Sequence, residues 1–203
     1  MATEILLIRH GETDSNAARI VQIPAAPLSE RGREQARLLA VRLATEGGLS
    51  RIVTSDLERA HETAVAIAAA TGAPVAIEPL LQERNFGDFR GTAYADLPFD
   101  IFAEGVVPPG GESIPTFASR VERAWERIRA LGRETDGRLA VVTHGLVCAE
   151  LARRHLDCGA AGPPGGWANT CLTVVEGAAP WRVLRIACTA HLDGAWDPAG
   201  GPA

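Results

Sequence analysis

The sequence predicts an α/β protein, a three-layer α/β/α sandwich built on a mainly parallel, mixed six-stranded sheet. Two observations carry this prediction. Short apolar runs alternate with helical patterns along the first 77 residues, which is typical of parallel strands with helices on both faces of the sheet. The last two apolar runs are joined by only a few Gly, Ala and Pro residues, as in an antiparallel hairpin at a sheet edge.

The first half of the chain supplies three strands and two helices to this prediction. Ser29 is a typical N-cap for a helix that ends at Gly47 and Gly48. A second helix over residues 56–71 is followed by Gly72, which commonly terminates helices. The predicted strands are the apolar runs 4–9, 51–54 and 75–77.

The second half begins with an excursion from residue 78 to 112, which is rich in Gly and Pro and has no clear periodicity. We expect residues 84–112 to form the rim of a pocket above the sheet. After it the pattern resumes, and residues 189–203 form a partly loose tail. The predicted elements are a helix from Ser113 to about residue 132, a strand at 139–143, a helix at 146–156, and strands at 170–176 and 181–188.

Composition bounds the class of protein. The chain has 203 residues, 46% of them hydrophobic and 22% charged, which predicts a single domain over residues 1–203. A net charge of −5 argues against a general nucleic-acid partner, which would need a basic face. We expect a cytoplasmic protein without a membrane partner, because no signal peptide or 18-residue apolar span is evident and the four cysteines are widely spaced.

Polar residues that suit phosphate chemistry follow three of the predicted strands. They are Arg9-His10-Gly11, Ser55 to Arg59, and Thr143-His144-Gly145. The carboxyl ends of parallel strands meet at one edge of a sheet, so all three segments are expected to face one cleft. Arginine offers a permanently charged fork of donors to phosphoryl oxygens. A histidine that is neutral near pH 7 can attack phosphorus as a nucleophile.

These segments also carry a family resemblance. Residues 6–16, Leu-Leu-Ile-Arg-His-Gly-Glu-Thr-Asp-Ser-Asn, resemble the signature that opens the histidine phosphatase (phosphoglycerate mutase-like) superfamily. Later blocks resemble that family in the same order, which makes the resemblance more specific than one motif. It covers roughly residues 4–150, and the later blocks lie at 27–36, 55–64, 81–91, 110–113 and 142–145.

The resemblance implies a phosphatase, a phosphoric monoester hydrolase that forms a phosphohistidine on His10. It implies that Arg9, Arg59 and His144 bind the phosphoryl oxygens and that Glu83 is the general acid. It implies a small phosphorylated metabolite as partner, no cofactor and no metal. Candidate substrate contacts are Asn16, Gln22, Arg84 and the helix start at Gly145 and Leu146, and Arg90 is a further one.

Two other functions remain open at this stage. A phosphoglycerate mutase would share the pocket, and the pair Glu83-Arg84 is similar to the mutase Glu-Arg pair. Against it, the chain is short, lacks an insertion with paired arginines, and has Leu146-Val147 where mutases resemble Asn-Ser. A catalytically inactive phosphate-binding relative would normally have lost a pocket residue. The substrate and the oligomeric state, a homodimer included, are left open.

Two rival sites can be weighed from spacing. Cys148 and Arg154 fit a Cys-x5-Arg spacing, but the intervening residues include no glycine and contain Glu150, which would repel an anion. His144, Cys148 and His155 share one helical face, but no fourth metal ligand is evident. We therefore expect a buried core thiol at Cys148.

Overall fold

The computed structural model describes residues 1–103, 105–192, 196–197 and 201–202. Its main elements follow the predicted alternation of strands and helices. They are β1 Ala2–Arg9, α1 Asp14–Ala17, α2 Glu30–Glu46, β2 Leu49–Thr54, α3 Glu58–Thr71, β3 Val75–Ile77, α4 Ile114–Glu134, β4 Gly137–Thr143, α5 Gly145–His155, β5 Leu172–Glu176, β6 Val183–Cys188, β7 Trp196–Asp197 and β8 Gly201–Pro202.

Six strands form one mixed sheet in the order β3-β2-β4-β1-β5-β6. The first four of these are parallel, whereas β5 pairs antiparallel with both β1 and β6. The predicted α/β fold with a mainly parallel, mixed six-stranded sheet is confirmed. Strands β1 and β4 lie in the centre and read as continuous apolar runs, because both of their faces are covered by helices.

Helices cover both faces of this sheet and divide the core into two layers. Successive residues of a strand point to opposite faces, so Leu7 of β1 belongs to one layer and Leu6 to the other. On the first face α4 contributes the fully buried Trp125, and α5 packs beside it. On the second face α2 and α3 contribute Leu39 and Ile67.

The helix caps agree with the sequence patterns. The Ser29 hydroxyl accepts a hydrogen bond from the Gly32 N–H at 3.0 Å, and Ser113 caps α4 in the same way.

Strands β5 and β6 begin two residues later than predicted. Thr170 and Trp181 have φ angles of 54° and 53°, outside the extended region that a strand requires.

The sequence analysis missed helix α1, a single turn in the loop after β1. Thr13 caps this turn, since its hydroxyl accepts from the Asn16 N–H at 3.0 Å and its own N–H donates to the Asn16 side chain at 3.3 Å. One turn is too short to show periodicity in the sequence. The capping box was nevertheless a detectable signal.

The described part of the excursion contains three 3-10 turns and neither a strand nor an α-helix. It folds back on itself at Gly87, where φ is +50° and a Cβ atom would overlap the Pro109 carbonyl oxygen.

Of the predicted loose tail, residues 193–195, 198–200 and 203 lie outside the described residues. In the described ranges no helix is both long and apolar enough to cross a bilayer. The single domain over residues 1–203 stays a prediction.

Candidate active site

The carboxyl ends of β1, β2 and β4 meet at one edge of the sheet and form the floor of a cavity of about 280 Å³. His10 follows β1 and lines the cavity. His144 follows β4 and lies behind this lining, with its ring centroid 5.1 Å from that of His10. Arg59, on the first turn of α3, reaches the same floor after β2. The three strand ends therefore meet as the topology predicts.

The hydrogen bonds of His10 select one neutral tautomer. Its Nδ1 lies 2.6 Å from the Gly11 carbonyl oxygen, so Nδ1 carries the proton and donates it. Nε2 is then the unprotonated nitrogen, and it accepts from the Arg59 Nε–H at 3.3 Å. Burial, together with the charges of Arg59 and Arg9, holds the pKa of His10 well below its ordinary value of 6.5. An uncharged, buried imidazole results.

Two guanidinium groups, the buried one of Arg59 and the partly buried one of Arg9, line the cavity together with His10. Arg59 is 2% exposed and also donates from Nη1 to the Ile23 carbonyl at 3.3 Å. Burial lowers its pKa to about 10, which leaves it charged near neutral pH. Arg9 donates from Nη1 to the Trp167 carbonyl, while its buried Nε has no hydrogen-bond acceptor among the described residues. A phosphoryl oxygen would supply such an acceptor.

His144 is completely buried behind His10, and its Nε2 lies 3.0 Å from the Ser55 hydroxyl oxygen. That hydroxyl also accepts from the Leu57 N–H at 3.2 Å. Burial, the positive charge of Arg59 and the neighbouring His10 lower the pKa of His144 well below 6.5. Ser55 thus fixes the plane of the second imidazole, a role that the sequence analysis did not assign.

Glu83 also lines the cavity and lies on the loop that follows β3. Its carboxylate accepts from the Leu146 N–H at 3.1 Å, at the start of α5, and from the Arg84 N–H at 2.9 Å. Burial nevertheless raises the pKa of Glu83 above its ordinary value of 4.5. A bound dianionic phosphate would raise it further, so the carboxyl group is suited to carry a proton to a leaving oxygen.

Smaller polar groups line the remaining wall of the cavity. The Asn16 side-chain oxygen accepts from Asn169 at 3.2 Å, and Gln22 accepts from the Thr13 hydroxyl at 2.8 Å. Both side chains line the cavity together with Gly145 and Leu146. A Cβ at Gly145 would lie 3.6 Å from Arg9 Nε, so glycine leaves room beside the guanidinium.

Arg84 and Arg90, the two arginines that follow Glu83, differ in their hydrogen bonds. The expected substrate contact Arg84 is 4% exposed, and its guanidinium donates to three carbonyls of the rim, those of Glu112, Ile101 and Val106, at 3.0, 3.4 and 2.7 Å. The side chain therefore holds the loop together, because its donors are used by the backbone. Both side chains line the cavity, but only the Arg90 guanidinium is without a hydrogen-bond acceptor among the described residues.

Two further residues of the site gave no signal in the sequence. Asn169, in the loop before β5, donates to the His10 carbonyl at 3.1 Å as well as to Asn16. Trp167 supplies the carbonyl that Arg9 binds and also lines the cavity. Both lie more than 150 residues from their partners, so only the pairing of β5 with β1 places them here.

The rival sites are not assembled. Cys148 is completely buried, and Arg154 lies on the surface of α5, where it pairs with Glu150. His155 stacks on Trp125 with centroids 5.3 Å apart and contacts Glu122 at 3.2 Å. Over the described ranges, no three His, Cys, Asp or Glu side chains are arranged to hold a metal ion.

Comparisons with known proteins agree with this geometry. The family model for the histidine phosphatase superfamily (branch 1) matches residues 5–188. Phosphoglycerate mutase-like protein 4 of Arabidopsis thaliana is 38% identical over 164 residues, which cover 74% of this chain and 70% of that protein. The metal-independent phosphoserine phosphatase of the same plant is 37% identical over 173 residues, covering 79% and 71%.

Solved structures and longer relatives extend the comparison. A mycobacterial glucosyl-3-phosphoglycerate phosphatase in complex with VO3 superimposes with a TM-score of 0.75 at 29% identity, covering 92% of this chain and 100% of the other. Several mycobacterial proteins are 34% identical over 166 residues, and there the match spans only 45% of their length.

Proposed function

Because the chain belongs to the histidine phosphatase superfamily, we propose that it hydrolyses phosphomonoesters of small metabolites through a phosphohistidine on His10, without a metal ion. The family and the phosphatase class predicted from the sequence are confirmed by the match. The substrate, the intermediate and the roles of the site residues form the proposal.

One observation carries the proposal, namely the orientation of His10. The Gly11 carbonyl holds the proton on Nδ1, and Nε2 points at the Arg59 guanidinium with its lone pair free of a proton. In a cavity lined by Arg9 and Arg59, a phosphoryl group bound by these two cations would place phosphorus beside Nε2. The guanidinium groups supply positive charge that a metal ion supplies in other phosphatases.

The first step forms a bond between Nε2 and phosphorus and breaks the bond between phosphorus and the ester oxygen. Arg9 and Arg59 stabilise the charge on the phosphoryl oxygens. The protonated Glu83 donates its proton to the leaving oxygen, so that the product departs as a neutral alcohol. Glu83 is then ionised and lies next to the Leu146 N–H, which stabilises the carboxylate.

The second step reverses these roles. The Glu83 carboxylate accepts a proton from water while the water oxygen attacks phosphorus and the bond to Nε2 breaks. Inorganic phosphate leaves, Glu83 is protonated again, and His10 regains its lone pair. His144, whose ring is held by its hydrogen bond with Ser55, orients the phosphoryl group.

The structure weakens the main argument for a mutase. That argument rested on the pair Glu83-Arg84, and the Arg84 guanidinium is occupied by three loop carbonyls. The presence of Arg9, His10, Arg59, Glu83 and His144 around one cavity argues against an inactive relative. A volume of about 280 Å³ lies near the lower end for ligand pockets and favours a small metabolite.

The test is phosphate release from para-nitrophenyl phosphate and from a panel of sugar, nucleotide and amino-acid phosphates, with a chelator present. We expect activity that survives chelation and falls roughly 10⁴-fold or more in His10→Ala. Acid-labile phosphate should be trapped on the wild type and not on the variant. His61→Ala, on α3 outside the cavity lining, is the matched control.

Three results would contradict the proposal. They are loss of activity on chelation, trapping of phosphate on His10→Ala, and failure to release phosphate from every compound of the panel. The last result would favour the inactive relative. Conversion of 3-phosphoglycerate to its 2-isomer that depends on a bisphosphoglycerate primer would favour the mutase.

A further inference from the structure

The cavity contains a cation that the proposed reaction does not use. Arg90 lines the cavity on the side of the rim, and its backbone N–H donates to the Gly87 carbonyl at 3.2 Å. Among the described residues, its guanidinium has neither a hydrogen-bond acceptor nor an ion-pair partner. The other arginine of the rim, Arg84, donates to three carbonyls, and Arg120 of α4 donates to carbonyls and pairs with Glu112.

Arg90 lines the same cavity as Arg9 and Arg59, the cations proposed to bind the phosphoryl group. Its positive charge contributes to the lowered pKa of Arg59. Holding two guanidinium groups of like charge close together costs free energy unless anions are bound between them. An arginine in this position is therefore expected to serve a ligand.

Counting charges shows what that ligand must carry. A phosphomonoester brings close to two negative charges at neutral pH, and Arg9 and Arg59 balance them. Glu83 must be protonated at the start of the reaction, so it contributes none. The positive charge of Arg90 then remains without a counterpart in the cavity, whereas the guanidinium of Arg84, which also lines the cavity, is bound by three carbonyls.

We propose that Arg90 binds a second anionic group, a carboxylate or a second phosphate, on the leaving group of the substrate. This inference rests on the proposed function, because it takes the phosphoryl group to lie at His10. The substrate is then a compact, doubly anionic phosphomonoester rather than a neutral sugar or alcohol phosphate.

The walls near Arg90 restrict the rest of that leaving group. Phe86 and Phe102 pack edge to face with centroids 5.8 Å apart, and Tyr94 packs on Phe102 in the same way at 5.7 Å. All three rings line the cavity with Arg90. Aromatic walls desolvate a nearby charged pair and strengthen it, so a bound anion should be discriminated sharply from a hydroxyl.

The test compares ligands that differ only in the second anion. Glycerol 3-phosphate is matched with 3-phosphoglycerate, in which a carboxylate replaces the terminal hydroxymethyl group, and with glycerol 1,3-bisphosphate. Affinities are measured by calorimetry on His10→Ala, so that turnover is not required. A phosphatase that proves inactive would overturn the proposed function and leave this measurement intact.

We expect at least one doubly anionic ligand to bind roughly 10- to 100-fold more tightly than glycerol 3-phosphate. Introducing Arg90→Gln into the His10→Ala variant should abolish most of that preference for the doubly anionic ligand. Whether the carboxylate or the bisphosphate is preferred identifies the anion.

The control is Arg19→Gln, on the same background. Arg19 is exposed, lies 5.8 Å from the Tyr94 ring and is absent from the cavity lining. Arg19→Gln removes one positive charge near the rim but leaves Arg90 in place. The preference for the doubly anionic ligand should therefore change by no more than about threefold. Equal preference with and without Arg90, an equal loss in Arg19→Gln, or no preference at all would overturn the inference.

Discussion

The phosphate end and the rim of the cavity are held in different ways. The phosphate end is formed by Arg9, His10 and Arg59 of the cavity lining, with His144 buried behind His10, and these residues lie at strand ends and at a helix start. The rim, residues 84–112, contains no strand among its described residues. Its backbone is held instead by turn hydrogen bonds and by the side chain of Arg84, which donates to three of its carbonyls.

This difference separates chemistry from specificity. Residues on sheet ends inherit the rigidity of the backbone ladder, as shown by the His10 N–H bond to the Thr143 carbonyl at 2.9 Å. A loop held by side chains can change its sequence without altering the sheet. The phosphate end therefore suits a fixed reaction, and the rim suits recognition of a particular leaving group.

Glu83 joins the two regions, and its replacement should have the largest effect among the three variants predicted here. Glu83→Gln keeps the shape but cannot transfer a proton, so kcat/KM, which reports the first step, should fall roughly 10²- to 10⁴-fold for alkyl phosphates. The kcat/KM for para-nitrophenyl phosphate, whose leaving group needs no proton, should be affected less. Steady-state measurements of kcat/KM on the two substrates give the difference, and an equal loss on both would contradict the general-acid role.

The pH profile sharpens the same point. The proposed reaction needs neutral His10, whose pKa is lowered, and protonated Glu83, whose pKa is raised. Activity should therefore decline on the acid side as His10 gains a proton and on the alkaline side as Glu83 loses one. The alkaline limb of kcat/KM should disappear in Glu83→Gln, and its persistence would assign that limb to another group.

Removal of Arg120 should have the next largest effect. Its guanidinium donates to the carbonyls of Leu80, Gln82 and Glu83 at 2.9, 2.7 and 3.2 Å and pairs with Glu112 at 2.7 Å. Arg120→Met leaves these acceptors partly buried and unpaired, so the free energy of unfolding should fall by about 2–3 kcal/mol. Urea denaturation measures this.

Arg120 is also a positioning residue, because it fixes the loop that carries Glu83. We expect kcat to fall roughly tenfold in Arg120→Met with a smaller change in KM, and the alkaline limb of the pH profile to shift. Arg120→Lys should restore part of the rate. A loss of stability with an unchanged kcat and pH profile would limit Arg120 to a structural role.

The smallest effect is predicted at Ser55, behind the phosphate end. Ser55→Ala removes the partner of His144 Nε2 and leaves the imidazole free to rotate. We expect kcat/KM to fall roughly 3- to 5-fold. Ser50→Ala, at the other end of β2 and exposed, is the control and should retain full activity.

The sequence predicted the elements because their signals are local. These signals are the caps at Ser29 and Ser113, the apolar runs and the terminal glycines. They place every strand of the six-stranded sheet and every helix that covers it to within about two residues, apart from the single turn α1. The chemical residues at the strand ends were equally evident, since a parallel topology brings those ends to one edge.

Contacts between distant segments decided the rest. Arg84 and Arg90 are the same residue type six positions apart in one loop, and nothing local distinguishes them. Both line the cavity, and only the folded rim shows that three carbonyls bind the guanidinium of Arg84 and that the guanidinium of Arg90 has no acceptor among the described residues. Likewise, the sequence specified an imidazole at position 10, but the placement of the Gly11 carbonyl and Arg59 determined which nitrogen keeps a lone pair. Hydrogen-bond partners are a property of three-dimensional packing, and residue spacing does not encode them.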